Sequence, residues 1–228
     1  MKSPQTVESL QRDFDRIALL PEERWNHNSH YHSFLLSHIP ESCDHILEIG
    51  CGTGKFSQLL AQRASKVLAI DLSPQMIRVA QENSERYPNI DFVLSDILEY
   101  PLPADHFDFI ASVTTLHHLQ LAAVLAKIKQ ALKPGGVFVC LDLYRRANAT
   151  DLFWDGIAYP TSLMLRLIKT GRLSPPTEMR EAYKEHDKTD SFMTLKHVAQ
   201  TCAAIMPGAR ITRHLFWRYS ICWKKRSE

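Results

Sequence analysis

The sequence of 228 residues has no apolar run of the roughly 20 residues that a membrane-spanning helix needs. Its first fourteen residues are polar and lack the apolar stretch of a secretory signal peptide. The five cysteines are scattered and form no Cys-x-x-Cys pair, which argues against a disulfide framework and favours reduced thiols. These absences predict a cytoplasmic protein without a membrane anchor.

The sequence also lacks an excess of charge of one sign. Lysine and arginine number 27 against 25 acidic residues, and a net charge of +2 is too small to indicate nucleic acid as a partner. At 45% hydrophobic and 23% charged residues, the composition is that of an ordinary globular protein. The length fits one domain with a sizeable core, and we expect a monomer or homodimer that acts on a small molecule.

Short apolar runs alternate with helical patterns over the middle of the chain. The predicted strands there are 45–50, 67–72, 90–94, 107–113 and 136–143. The predicted helices between them are 55–63, 73–86 and 121–133, the second beginning with Ser73 as N-cap and Pro74. Strands that are nearly all apolar and alternate with helices predict a parallel sheet covered on both faces, a doubly wound α/β fold. The ligand of such a fold lies at the carboxyl ends of the strands.

The two ends of the chain depart from this alternation. Residues 1–40 predict an N-terminal helical cap with two helices, one beginning near Ser3-Pro4 and one covering 29–38. The first rests on four apolar residues that share a helix face: Val7, Leu10, Phe14 and Ile17. Residues 41–228 form the main domain.

The segment from about 145 to 192 is too long for a simple connection and predicts a lid insertion. Within it, 151–168 is rich in aromatic residues, and Pro160 is expected to interrupt its helical pattern. A helix over 194–206 follows, and strands at 210–215 and 219–223 predict a closing hairpin. The whole is a seven-stranded, mostly parallel sheet with a C-terminal antiparallel hairpin.

Glycines stand at every second position after the first predicted strand, in the segment 47–54 (LEIGCGTG). Glycine lets the backbone adopt positive φ and approach a ligand without a Cβ in the way. The dinucleotide fingerprint G-x-G-x-x-G fails because Lys55 stands three residues after Gly52, and a P-loop would need glycine at Ile49 and a hydroxyl residue at Phe56. The remaining pattern, E-x-G-x-G-x-G, resembles the S-adenosylmethionine loop of class I methyltransferases.

Four further segments match that family in order and spacing. Asp71 ends the second strand, and Ser95-Asp96-Ile97 follows the third. Phe107-Asp108 opens the fourth strand, and the segment 132–136 (LKPGG) precedes the fifth. The resemblance covers about residues 45 to 144, and it implies S-adenosylmethionine as the cofactor.

The resemblance also implies roles for single residues. Gly50 and Gly52 line the methionine moiety, Asp71 accepts hydrogen bonds from the ribose hydroxyls, and Asp96 with Ile97 contacts the adenine. The other residues expected at the cofactor are Glu48, which orients the loop, and Cys51, Gly54, Leu72, Met76 and Val113. Met76 is expected either to pack against the adenine face or to be a core residue of its helix. Cys51 is expected to be a small loop residue rather than a nucleophile, because nothing cationic stands beside it in sequence.

The segment after the fourth strand holds the candidate base. Alignment and exclusion of water supply much of the rate of methyl transfer, so a base is not required. His117 and His118 fall at the cofactor-methyl end of the fold, where either could accept a proton near neutral pH. We expect His117 to be the catalytic residue; the alternative is a histidine that packs or caps the next helix.

The N-terminal segment 25–32 (WNHNSHYH) is expected to lie over the cofactor, with a solvated helix start as the alternative. His27, Tyr31, His118 and Trp154 are the predicted substrate residues. Three histidines at 27, 30 and 32 do not predict a metal site, because no cysteine or carboxylate stands nearby. Together with the segment 213–219 (RHLFWRY), this segment is similar to a bacterial subgroup of uncharacterised methyltransferases.

Missing motifs narrow the substrate class. The fourth strand does not end in the [DNS]-P-P-[YF] signature of exocyclic amine methylation, and no Pro-Cys dipeptide supports a cytosine-C5 mechanism. The similarity is strongest to the group that contains the quinone-biosynthesis methyltransferases, with mostly small-molecule substrates. Two alternatives stay open: a tRNA or protein methyltransferase, and a non-catalytic module that binds S-adenosylmethionine.

Overall fold

The computed structural model describes residues 6–21, 23, 25–147, 149–186 and 190–227. The strands are β1 His45–Ile49, β2 Lys66–Asp71, β3 Ile90–Leu94, β4 Phe107–Val113, β5 Leu132–Leu143, β6 Arg210–Arg213 and β7 Arg218–Lys224. The helices are α1 Val7–Ala18, α2 His32–Leu36, α3 Lys55–Ala61, α4 Pro74–Asn83, α5 Leu121–Ala131, α6 Ala149–Thr170, α7 Thr177–His186 and α8 Leu195–Ile205. Short 3-10 turns cover Ser29–Tyr31 and Leu116–His118.

All seven strands form one sheet in the order β3-β2-β1-β4-β5-β7-β6. Strands β1 to β5 pair in parallel, and β7 runs antiparallel between β5 and β6. The order reverses at β1, where the chain goes outward to β2 and β3 and then returns to β4. This confirms the predicted doubly wound sheet with its C-terminal antiparallel hairpin. None of the described helices is both long and apolar enough to cross a membrane.

The sheet is buried on both faces because most residues of its central strands are apolar. Ile110 packs on the side that holds α5 and α8, whereas its neighbours Phe109 and Ala111 pack on the side that holds α2 and α3. All three side chains are inaccessible to solvent. Alternate residues of one strand therefore serve two cores, and the polar groups of the strands are free to concentrate at the carboxyl edge.

Strand β5 begins at Leu132 rather than at Gly136, so the prediction that Pro134-Gly135-Gly136 separates helix from strand was wrong. A Cβ at Gly136 would stand 2.9 Å from the carbonyl oxygen of Lys133 and 3.0 Å from that of Phe107. The register with β4 shifts between Phe107 and Phe109. The glycine therefore permits a close backbone approach within an irregular strand.

The helix starts follow their capping residues. The Ser73 hydroxyl accepts a hydrogen bond of 3.0 Å from the backbone N–H of Met76, with Pro74 in the first turn, as the sequence predicts. Helix α1 begins after Thr6, whose hydroxyl accepts from the N–H of Ser9 at 3.2 Å. The predicted start at Ser3-Pro4 lies outside the described residues. The second predicted helix is a 3-10 turn followed by the short α2.

Helix α6 runs through Pro160, so the predicted interruption at that residue was wrong. Proline removes one N–H, here the donor to the carbonyl of Gly156. In the same turn, the Thr161 hydroxyl donates to the carbonyl of Ile157 at 2.7 Å. Helices α6 and α7 together occupy most of the segment 145–192.

Candidate active site

A cavity of about 1370 Å³ opens at the carboxyl ends of the central strands, and residues from α1, the segment 20–32, α6 and α7 also line it. Its volume exceeds the roughly 300–1,000 Å³ of an ordinary small-molecule pocket, so it has room for a cofactor and a second molecule. Most of the residues predicted at the cofactor line this cavity: Glu48, Gly50, Cys51, Gly52, Asp71, Leu72, Met76, Asp96, Ile97 and Val113.

The loop after β1 has the backbone conformation that its glycines were predicted to permit. Gly50, Gly52 and Gly54 have φ values of +74°, +53° and +80°. A Cβ at Gly50 would stand 2.0 Å from the Thr115 hydroxyl oxygen, whereas nothing lies within 4 Å of the Cβ position at Gly52. The loop therefore packs tightly on one side and leaves open space on the other. That open space is a cradle that suits the methionine part of S-adenosylmethionine.

Gly54 does not line the cavity with its neighbours. A Cβ at this position would stand 3.1 Å from the Cβ of Ala80 and 3.1 Å from the Ser84 hydroxyl oxygen on the α4 side. The third glycine of the motif therefore allows α3 and the end of α4 to approach closely.

Asp71 at the end of β2 joins two backbone segments. One carboxylate oxygen accepts from the N–H of Gly52 at 2.8 Å and the other from the N–H of Ser73 at 2.9 Å. Burial raises the pKa of this carboxyl group, and the two backbone donors oppose that rise. Each carboxylate oxygen has a second lone pair, so the group can still accept ribose hydroxyls.

Glu48 contacts α3 through its side chain. It is buried, and it accepts a hydrogen bond of 2.5 Å from the Ser57 hydroxyl on α3. Burial raises the pKa of Glu48 to about 8. The contact joins β1 to α3 behind the glycine loop, so it can hold the loop from below.

The turn after β3, which the resemblance assigns to the adenine, lines the cavity. One carboxylate oxygen of Asp96 accepts from the N–H of Leu98 at 2.8 Å, which fixes the acid at the turn. Ile97 is buried in the adjacent core. Met76 lines the cavity and also packs with Ile17 of α1 and Ala182 of α7. The two readings of Met76 are therefore compatible.

His117 lies at the cavity wall beyond β4 and is held by a carboxylate. Its Nδ1 is 2.5 Å from Oδ1 of Asp142, and its backbone N–H donates to Oδ2 of the same residue at 2.9 Å. Burial alone would lower the pKa of His117, but Asp142 outweighs burial and raises it. The side chains of both residues are almost fully buried. With Nδ1 bound, Nε2 is the atom that can exchange a proton.

A second acid, Asp190, lies among three imidazoles. Its carboxylate oxygens are 3.8 Å from Nε2 of His117, 3.6 Å from Nδ1 of His118 and 3.5 Å from Nε2 of His186. Burial lowers the pKa of His118 to about 2, aided by its histidine neighbours, so this imidazole is neutral. The cluster concentrates proton-exchanging groups beside His117.

His117, His118 and Asp190 also have the composition of a metal site. One ligand atom from each lies within 4.8 Å of the others. Zinc bound at 2.0–2.1 Å by nitrogen holds its tetrahedral ligands about 3.3 Å apart, so this cluster would have to contract around an ion. Of the described side chains, these three are the group best placed to hold a cation.

The two segments that the sequence singled out at 25–32 and 213–219 pack on each other. The rings of His27 and Phe216 are stacked, with centroids 4.8 Å apart, and Tyr31 donates from its hydroxyl to the carbonyl of Leu215 at 3.0 Å. Asn28 donates from its amide to the Thr114 hydroxyl at 3.0 Å, which ties both segments to the end of β4.

The predicted substrate residues separate into two pairs. His27 and His118 line the cavity. Tyr31 is buried in the core and does not reach it, because its hydroxyl is turned to Leu215. Trp154 lies on α6 with 38% of its surface exposed, away from the cavity lining. The structure therefore does not bring Tyr31 and Trp154 to the acceptor space.

Sequence reasoning missed Asp142, His186, Asp190 and Arg218. Asp142 had a signal, since it is the one charged residue in the apolar run 137–143 and a buried acid needs a partner. His186 and Asp190 had none, because only the packing of 145–192 over the sheet brings them to His117. Arg218 stood in a quoted motif but carried no stated role.

Comparison with known proteins agrees with this geometry. Residues 47–140 match the family model described as a methyltransferase domain. The match and the fold support an S-adenosylmethionine-dependent methyltransferase with S-adenosylmethionine as its cofactor.

Among similar proteins, an uncharacterized methyltransferase of Mycobacterium tuberculosis is 26% identical over 89% of this chain and 98% of its own. The ubiquinone biosynthesis O-methyltransferase of Xylella fastidiosa is 33% identical over 58% of this chain and 54% of its own. A putative methyltransferase solved in complex with the Trm112 activator of Haloferax volcanii shares the fold, with a TM-score of 0.65 and 15% identity over 93% of this chain and 97% of that one.

Gly50→Ala tests the cradle. We expect it to weaken S-adenosylhomocysteine binding more than tenfold in calorimetry, because the new Cβ would stand 2.0 Å from Thr115 and force the loop to move. Gly171→Ala is the matched control: its φ of +71° is similarly strained, but nothing lies within 4 Å of its Cβ position. Equal affinities for wild type and the Gly50 variant would show that the loop does not shape the cofactor site.

Proposed function

We propose that the protein transfers the methyl group of S-adenosylmethionine to a small-molecule acceptor bound in the same cavity. The observation that carries this is the His117–Asp142 pair, buried in the wall of a cavity larger than one ligand needs. The similarity to a quinone-biosynthesis enzyme supports a small acceptor. The five free cysteines support action in the cytoplasm. The net charge of +2 supports a protein that acts without nucleic acid, as a monomer or homodimer.

The cofactor, when bound, supplies a methyl group on a positively charged sulfur. The glycine loop and Asp71 hold it at the switch point of the sheet, and Asp96 lies at the adenine end. The chain contributes alignment and exclusion of water, which can together lower a barrier by roughly 7–11 kcal/mol when the reacting atoms are well placed. Its own chemistry is then confined to the proton of the acceptor.

His117 accepts that proton in this proposal. Asp142 fixes the ring orientation through Nδ1 and favours the positively charged imidazole that forms when Nε2 takes a proton. Asp190, 3.8 Å from Nε2, favours the same charge. His118 acts as a wall of the acceptor space, since its neutral ring cannot compete for the proton.

A cap and a lid exclude water in this account. Residues 1–40 form the cap, and residues 145–192 insert as the lid on the main domain 41–228. Arg166 of α6 bridges to the Glu23 carboxylate at 2.5 and 3.2 Å. Nε2 of His27 is 2.7 Å from the Ser162 hydroxyl on the same helix. These contacts support cap and lid closing the cavity together.

Transfer of a labelled methyl group tests the proposal. The protein is incubated with methyl-labelled S-adenosylmethionine and a cell extract separated into small-molecule, tRNA and protein fractions. We expect label in the small-molecule fraction and its loss, by about 10²-fold or more, in His117→Gln. Label in tRNA or protein would support those acceptor classes instead. Cofactor binding without label in any fraction would indicate a non-catalytic module.

The pH dependence of His117 tests its role without an acceptor. We expect its imidazole resonances in NMR to titrate above pH 6.5, because Asp142 raises the pKa. In Asp142→Asn the charge is lost while burial persists, so the titration moves to lower pH. A base must be neutral to accept a proton, so the acidic limb of the pH–rate profile follows the same shift. His117→Gln assigns the resonances, and an unchanged titration in Asp142→Asn would contradict the pair.

A further inference from the structure

Arg218 lies where the segments 25–32 and 213–219 meet. Its Nε and Nη2 both donate to the Asn28 side-chain oxygen, at 2.9 and 2.6 Å, and Nη1 donates to the carbonyl of Phe216 at 2.6 Å. Asn28 is in turn bound to Thr114 at the end of β4. Three hydrogen bonds to two residues therefore fix the guanidinium at the carboxyl edge of the sheet.

This arginine is a buried cation held by neutral groups. Only 8% of its surface is exposed, and among the described residues no carboxylate oxygen lies within 4.0 Å of its nitrogens. Asp142 is the carboxylate whose charge raises the pKa of Arg218, but that carboxylate is already bound to His117. Burial lowers the pKa of Arg218 to about 10, so the group remains positively charged at neutral pH. Burying a charge without a counter-ion is costly, which calls for a reason.

Two N–H donors of the Arg218 guanidinium remain for a ligand. A guanidinium has five N–H donors, and the three bonds to Asn28 and Phe216 leave one N–H on each terminal nitrogen. Two such donors on one carbon are the arrangement that a carboxylate accepts with both oxygens. Arg218 lines the same cavity as His117.

The turn that presents Arg218 is strained. Phe216 and Trp217 have φ values of +61° and +60°, a left-handed conformation that residues with a side chain rarely adopt. The turn directs the Phe216 carbonyl to the guanidinium, and the Trp217 ring nitrogen donates to Asp155 of α6 at 2.6 Å. Strain kept at a cavity wall is typical of a site built for a ligand.

Of the other cations that line the cavity, Arg145, Arg180 and Lys184 are exposed to solvent, and two arginines are paired. Arg166 is paired with Glu23 and Arg146 with Asp155. The cofactor end carries the carboxylates of Asp71 and Asp96, which repel an anion. The anionic part of a bound molecule is therefore attracted to Arg218, on the His117 side.

We propose that Arg218, clamped by Asn28, binds an anionic group of the methyl acceptor, with a carboxylate as the group that its fork fits best. The inference rests on the proposed function and deepens it, because it defines the acceptor as an acid. The cofactor has a carboxylate of its own, so the experiment must separate these two sources.

The test uses the whole protein saturated with S-adenosylhomocysteine and titrated with malonate or with its neutral analogue malonamide in a calorimeter. We expect malonate to bind and malonamide not to bind. Arg218→Gln should weaken malonate binding at least tenfold while changing the affinity for S-adenosylhomocysteine less than twofold. Arg180→Gln is the control: it removes a charge from an exposed residue of the same cavity and should change both affinities less than twofold.

Arg218→Lys keeps the charge but loses the fork, and we expect it also to weaken malonate binding at least fivefold. This second variant keeps the test valid if Arg218→Gln does not fold. The melting temperatures of both variants show whether they are folded. Equal malonate affinities in the wild type and a folded Arg218 variant, or no malonate binding by the wild type, would overturn the inference. A tenfold loss of S-adenosylhomocysteine affinity in both variants would assign Arg218 to the cofactor and overturn it as well. A wild type that binds no S-adenosylhomocysteine would instead refute the proposed function.

Discussion

The hydrogen bonds of the Asp71 carboxylate are the interaction on which the rest of the site depends. One oxygen holds the glycine loop after β1 through Gly52, and the other holds the start of α4 through Ser73. Backbone hydrogen bonds from Gly50 and Cys51 to the Ile70 carbonyl hold the same loop against β2. The same carboxylate holds two backbone segments and is predicted to bind the cofactor, two roles that would offset the desolvation cost of an acid buried at a sheet edge.

The acceptor side depends on a different set of contacts, between parts of the chain that are far apart in sequence. Asn28 of the N-terminal segment and Arg218 of the closing hairpin meet at the end of β4, and Asp142 of β5 holds His117 beside them. The parallel sheet brings its strand ends to one edge, and the antiparallel β7 adds a residue from its beginning to that edge. Asp142, which holds the proposed proton acceptor, and the proposed anion-binding Arg218 therefore lie on neighbouring strands, β5 and β7.

The sequence predicted the strands and the cofactor loop because their signals are local. A glycine at positive φ or an N-cap serine is recognisable from its own neighbours. The continuity of α6 through Pro160 and the early start of β5 depend on tertiary packing that overrides local propensity. The contacts of His117 also depend on tertiary packing. Asp142 is 25 residues away in sequence, and Asp190 follows α7, which the sequence did not distinguish within the segment 145–192. Tyr31 was predicted at the substrate from its chemistry, and packing turned its hydroxyl to a backbone carbonyl instead.

The most direct test is calorimetry of cofactor binding by the wild type and Asp71→Ala, with S-adenosylhomocysteine and NAD as ligands. The exposed Asp91→Ala on β3 is the control. The account predicts binding of S-adenosylhomocysteine, no comparable binding of NAD, and at least tenfold weaker binding in the Asp71 variant. Hydrogen bonds to a charged group contribute about 1.5–3 kcal/mol each. Comparable binding of NAD, or an unchanged affinity in Asp71→Ala at an unchanged melting temperature, would contradict it.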